Sequence, residues 1–107
     1  MNRTIRSSVA MAVVASLACA VSFAQSSGEV TFKDKCQICH GATGLANTAP
    51  AIVLGVKPVT DPAVMKMDYA EMLDITRNGR NKMQAFKDKL TDAQIKGAVT
   101  YFRTLMK

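Results

Sequence analysis

The chain has no tryptophan, a single histidine and only three cysteines in 107 residues. One cysteine, Cys19, lies in the N-terminal segment, so Cys36 and Cys39 alone remain, too few for a disulfide framework. No stretch alternates polar and apolar residues for long enough to make a strand, which excludes a sheet protein. The basic residues are scattered, with no arginine-rich run and no aromatic platform beside them, so nucleic acid is not an expected partner. There are no internal repeats, and the length allows at most one compact domain.

What is present begins with an export signal. Residues 1–24 carry Arg3 and Arg6, then the apolar run Val9–Ala15, then Ser22-Phe23-Ala24. That is the order of a charged region, a hydrophobic region and a small-residue cleavage site, and it predicts cleavage after Ala24. The apolar run is short for a membrane span. An uncleaved anchor and lipid attachment at Cys19 are the other readings, though Ser16 suits the latter poorly. Cleavage leaves residues 25–107 as the domain. It removes two of the 14 basic residues and none of the 8 acids, so the formal net charge falls from +6 to +4. A moderate positive charge favours encounter with acidic partners and says nothing of fold.

A domain of this size has a thin apolar core and ordinarily needs a staple. Three helices are expected, with a short fourth. The first spans about 27–39, with Ser26 and Glu29 at capping-box spacing and Phe32, Cys36 and Cys39 on one face. Residues 41–60 hold Gly41, Gly44, Pro50, Gly55 and Pro58 and read as a long loop. Such a loop in a small domain is usually functional. Asp61-Pro62 signals a short helix. Asp68 and Glu71 open another, carrying Tyr69, Met72, Leu73 and Thr76 and ending at Asn78-Gly79. Thr91 and Gln94 open the last, whose stripe is Ile95, Ala98, Val99, Phe102, Leu105 and Met106.

The strongest chemical signal is Cys36-Gln37-Ile38-Cys39-His40. Two thiols three residues apart can add across the vinyl groups of a haem, and the next residue offers an imidazole to the iron. A zinc site would need further ligands than this pentapeptide holds. A redox dithiol would be expected between a strand and a helix, where no strand pattern exists. A structural disulfide would leave the adjacent histidine to coincidence.

Because His40 is the only histidine, a second imidazole cannot come from the same chain. Methionine, lysine or an open position remain for the second axial site. Met72 and Met106 lie on apolar helix faces, and Met65 and Met67 lie in or beside the short helix, all as packing residues. Met83 differs, because it sits in the loop 79–90 between Lys82 and Gln84, where an apolar side chain needs a reason. Lysines 33, 35, 82, 87 and 89 could form a basic rim around the cofactor.

From residue 25 onward the chain resembles the class I c-type cytochromes, in particular their short bacterial, c6-like monohaem members. The matching residues are Gly28 and Phe32, Cys36 to Gly41, Asn78-Gly79, Met83, and Leu90-Thr91 leading to Tyr101. The resemblance implies an all-α cytochrome c fold, three to four helices and long loops wrapped around one covalently bound haem. It implies that Gly28 and Phe32 cross the Gly97–Tyr101 stretch. It further implies metal ligation by His40 and Met83, attachment through Cys36 and Cys39, and a carbonyl at Pro50 that accepts the second N–H of His40. The family often has proline after the ligand methionine, where this chain has Gln84.

The expected role is that of a monomeric periplasmic carrier of single electrons, with no enzyme activity, no stable membrane insertion after cleavage, and redox partner proteins that present acidic surfaces. A cytochrome subunit of a larger dehydrogenase or oxidase complex is the alternative, as is a five-coordinate haem sensor or enzyme.

Overall fold

Capping side chains start three of the helices at the expected positions in the computed structural model, which describes residues 27–107; the expected signal segment lies outside the described residues. Asp61 accepts from Ala63 N at 2.9 Å ahead of Pro62, Asp68 from Glu71 N at 2.8 Å, and Thr91 from Gln94 N at 3.1 Å. At Thr91 the Gln94 side chain also accepts from the Thr91 N–H, so the capping box is complete. At Asp68 only half is made, because Glu71 faces Arg80 instead.

The element order is α1 (27–35), α2 (Gln37–His40), α3 (Ala49–Leu54), α4 (Pro62–Met65), α5 (Tyr69–Asn78) and α6 (Asp92–Thr104). Among the described residues there is no strand, only an isolated antiparallel bridge between Arg80 and Met83. The class is all-α, as expected, but the segments outnumber the three to four anticipated. Cys36 breaks the first helix into α1 and α2. The second difference is α3, which lies within the span read as loop. Its six residues are too few to show a period, yet Thr48 caps it, Pro50 suits its first turn and Gly55 closes it at φ 68°.

Packing is organised by one close approach. A β-carbon on Gly28 would stand 2.3 Å from the Gly97 carbonyl oxygen, so α1 and α6 meet backbone to backbone. Glycine is otherwise costly inside a helix, and this contact explains Gly97. One turn further along α1, Phe32 is 1% exposed and lies against Tyr101 and Phe102, with ring centroids 5.1 and 6.1 Å away. Burial of a phenylalanine contributes about 1.5–3 kcal/mol. The larger apolar cluster joins Val64, Met72 and Leu73 to Phe86, Leu90, Ile95 and Val99. It holds α5 against α6, and the Arg77–Asp92 ion pair at 2.6 Å closes their outer end.

Gly28→Ala is expected to lower stability by about 1–3 kcal/mol through overpacking, and Thr91→Ala by about 1 kcal/mol through loss of the cap. Urea unfolding midpoints measure both. A Gly28→Ala variant as stable as the parent would show that the two helices do not touch there.

Candidate cofactor site

Phe32, locked between α1 and α6, sets the direction of the helical run that continues beyond it. Cys36 N donates to Phe32 O at 2.8 Å, His40 N to Cys36 O at 3.0 Å and Gly41 N to Gln37 O at 2.8 Å. The pentapeptide is thus helical apart from a local turn at Cys36, and its two thiols lie about one turn apart. Both are unpaired, and both border one cavity together with His40. Thr48 secures the segment from outside: its hydroxyl donates to Ile38 O at 2.6 Å while accepting from Ala51 N to cap α3.

The cavity measures about 510 Å³, within the roughly 300–1,000 Å³ typical of cofactor sites. Its walls are largely apolar. Phe32 and Phe102 come from α1 and α6, Met72 and Ile75 from α5, Leu54 from α3, and Met83 and Phe86 from the loop after α5. The His40 ring meets Phe102 edge-on at 5.2 Å. Polar side chains at the border include Lys35, Lys57, Arg80 and Lys82.

Burial sets the chemistry of the donors. It pushes the Cys36 thiol up to about 11, with the neighbouring Cys39 adding to the rise. A thiol so raised is protonated near neutral pH, the opposite of the lowered value a redox dithiol needs. Burial also lowers the His40 pKa, which keeps the imidazole neutral and its lone pair available. His40 Nδ1 is sealed from solvent with no hydrogen-bond partner among the described residues. Leaving such a group unpaired costs about 1–3 kcal/mol, and it points to a site built for something besides packing. Among the described residues no group of three or more His, Cys, Asp or Glu is arranged to hold a bare metal ion. Unpaired thiols, a neutral imidazole and apolar walls do fit a flat macrocycle anchored by thioethers.

The structure brings four of the five expected site residues to this cavity: Cys36, Cys39, His40 and Met83. Pro50 is outside it. Pro50 sits in the first turn of α3, where a carbonyl is directed along the helix axis, and His40 Nδ1 donates no hydrogen bond to it. Of the other methionines, Met72 and Met67 border the cavity, Met106 packs on the core, and Met65 is 47% exposed and not a packing residue. Arg103 Nη1 reaches the Met72 sulfur at 3.6 Å and the Met67 carbonyl at 3.2 Å, which engages Met72 from behind the wall. Sequence reasoning missed Thr48, Lys57 and Arg103. Only Thr48 left a signal, as a capping residue two positions before proline.

Comparison with known proteins agrees with this geometry. Residues 23–102 match the model of the family described as cytochrome c oxidase, cbb3-type, subunit III. A solved structure, the KustC0563 c-type cytochrome, superposes with a TM-score of 0.66 at 26% identity, covering 75% of this chain and 98% of that one. No curated protein matches the chain. A helical domain with a Cys-Cys-His edge on an apolar cavity, matched in sequence over residues 23–102, belongs to the family of cbb3-type cytochrome c oxidase subunit III and is a class I monohaem c-type cytochrome, whose cofactor is covalently bound haem c.

Proposed function

We propose that this chain is a periplasmic single-electron carrier, with one haem bound through Cys36 and Cys39 and ligated by His40 and Met83. The observation that carries the reading is that these four side chains border one apolar cavity, three from the α1–α2 run and one from the loop after α5. When bound, haem c supplies a one-electron iron couple. The chain's own residues do the rest. His40 is kept neutral by burial and can offer its lone pair. Met83 is half-buried against the core and presents a thioether, a ligand that favours the reduced metal. Phe32 and Phe86, both nearly inaccessible, exclude water from the walls. If His40 and Met83 both hold the group, no coordination position would be left for substrate, which supports a carrier and not an enzyme.

Lys35 and Lys82, two of the five lysines expected at the rim, border the cavity, and Lys57 joins them. Lys33 instead pairs with Glu29 at 2.9 Å. A basic mouth of this kind suits redox partners with acidic docking surfaces. One observation favours the second reading, a subunit of a larger complex. Ile38, Ile52 and Val53 are 65%, 75% and 78% exposed, more apolar surface than α2 and α3 need for themselves.

Met83→Ala is expected to abolish the weak far-red sulfur-to-iron band of the oxidised protein and to lower the reduction potential, with mass spectrometry still finding the haem attached. An unchanged oxidised spectrum would remove Met83 as ligand. Electron transfer to an acidic redox protein should slow roughly tenfold as salt rises from about 0.01 M to 0.15 M, and Lys35→Glu with Lys82→Glu should flatten that dependence. A rate indifferent to salt would reject the docking surface. Purification of the native protein at low salt separates the two readings: a free carrier elutes alone, a subunit with a larger enzyme.

A further inference from the structure

The loop that carries Met83 is a two-residue turn whose geometry makes an unusual demand on one side chain. Arg80 N donates to Met83 O at 3.1 Å and Met83 N to Arg80 O at 2.9 Å, so the two residues face each other across Asn81 and Lys82. Asn81 stands at φ 53°, in the left-handed region, one of only two non-glycine residues there among the described residues. Asparagine tolerates that region far better than β-branched residues do. Asn81 is exposed and borders the cavity.

The turn is held at both ends. On one side Gly79, at φ 78°, lets the chain leave α5 so closely that a β-carbon there would stand 2.8 Å from Met83 O and 3.0 Å from Ala85 N. Arg80 reaches back to Glu71 on α5, both terminal nitrogens 3.4 Å from one carboxylate oxygen. On the other side Phe86 N and Lys87 N donate to Thr76 O and Arg77 O at the end of α5. Between these anchors lies the two-residue turn itself, with Asn81 at its first position.

We infer that Asn81 is a positioning residue for the axial sulfur: its left-handed backbone closes the Arg80–Met83 turn and so holds Met83 against the cavity. The inference rests on the assignment of Met83 as ligand. It concerns how firmly the thioether is held, and Asn81 acts on it through the backbone of the turn. A residue that resists the left-handed region shifts the equilibrium toward an open turn, and an external base then displaces the sulfur more easily. A left-handed conformation costs an ordinary residue enough to change an equilibrium by about 5- to 30-fold.

The test is imidazole titration of the oxidised holoprotein, followed by loss of the far-red sulfur-to-iron band, in the parent, Asn81→Val, Asn81→Gly and Met83→Ala. Asn81→Val should lose the band at an imidazole concentration about 5- to 30-fold lower than the parent, whereas Asn81→Gly, free to adopt positive φ, should match it. Urea unfolding of the same proteins guards against a general loss of stability. Equal imidazole midpoints for the parent and Asn81→Val would overturn the inference, as would equal weakening in Asn81→Val and Asn81→Gly. A band that persists in Met83→Ala would instead overturn the ligand assignment beneath it.

Discussion

The backbone contact between Gly28 and Gly97 is the constraint from which the rest of the molecule is laid out. It sets the spacing of α1 and α6 at the least two helices allow, and that spacing seats Phe32 between Tyr101 and Phe102. The chain turns at Cys36, yet Cys36 and His40 are each tied four residues back by the main chain. The thiols and the imidazole therefore arrive at the cavity on a helical segment anchored at Phe32. Phe102 then serves twice, packing against Phe32 on one flank and against the edge of His40 on the other.

Met83 reaches the cavity by a different kind of construction. No helix carries Met83; it hangs from main-chain bonds to the end of α5, and its own turn is only two residues wide. His40 is thus placed by helix packing and Met83 by loop geometry. Loops open at lower free energy than packed helices do, so Met83 is held at the cavity less firmly than His40. Arg103 adds to the contrast, holding Met72 and the Met67 backbone from outside the wall and leaving Met83 as the methionine carried by the loop.

The surface divides in a related way. Lys35, Lys57 and Lys82 gather at the cavity mouth although they are distant in the chain. Ile38, Ile52 and Val53 are exposed on α2 and α3, joined through the Thr48 hydroxyl bond to Ile38 O. Charge at the mouth steers an encounter over a Debye length, and apolar surface acts only on contact. The two together are what a protein that must meet a partner and exchange an electron with it requires, whether that meeting is transient or lasting.

Signals carried within one helical turn were legible in the linear chain. The Cys36–His40 pentapeptide, the caps at Asp61, Asp68 and Thr91 and the stripe of α6 could all be read, because each depends on residues three or four apart; the glycine crossing came from the family resemblance. Met83 stood out as an apolar side chain in a polar loop, and the structure places it at the cavity. Tertiary structure alone placed Pro50 outside the cavity, in the first turn of α3, a helix too short to announce itself. It alone brought Lys57 to the mouth and Arg103 to Met72, contacts that join residues tens of positions apart. It also revealed the left-handed turn at Asn81, for an asparagine in a loop can adopt many conformations, and only the anchors on α5 select one.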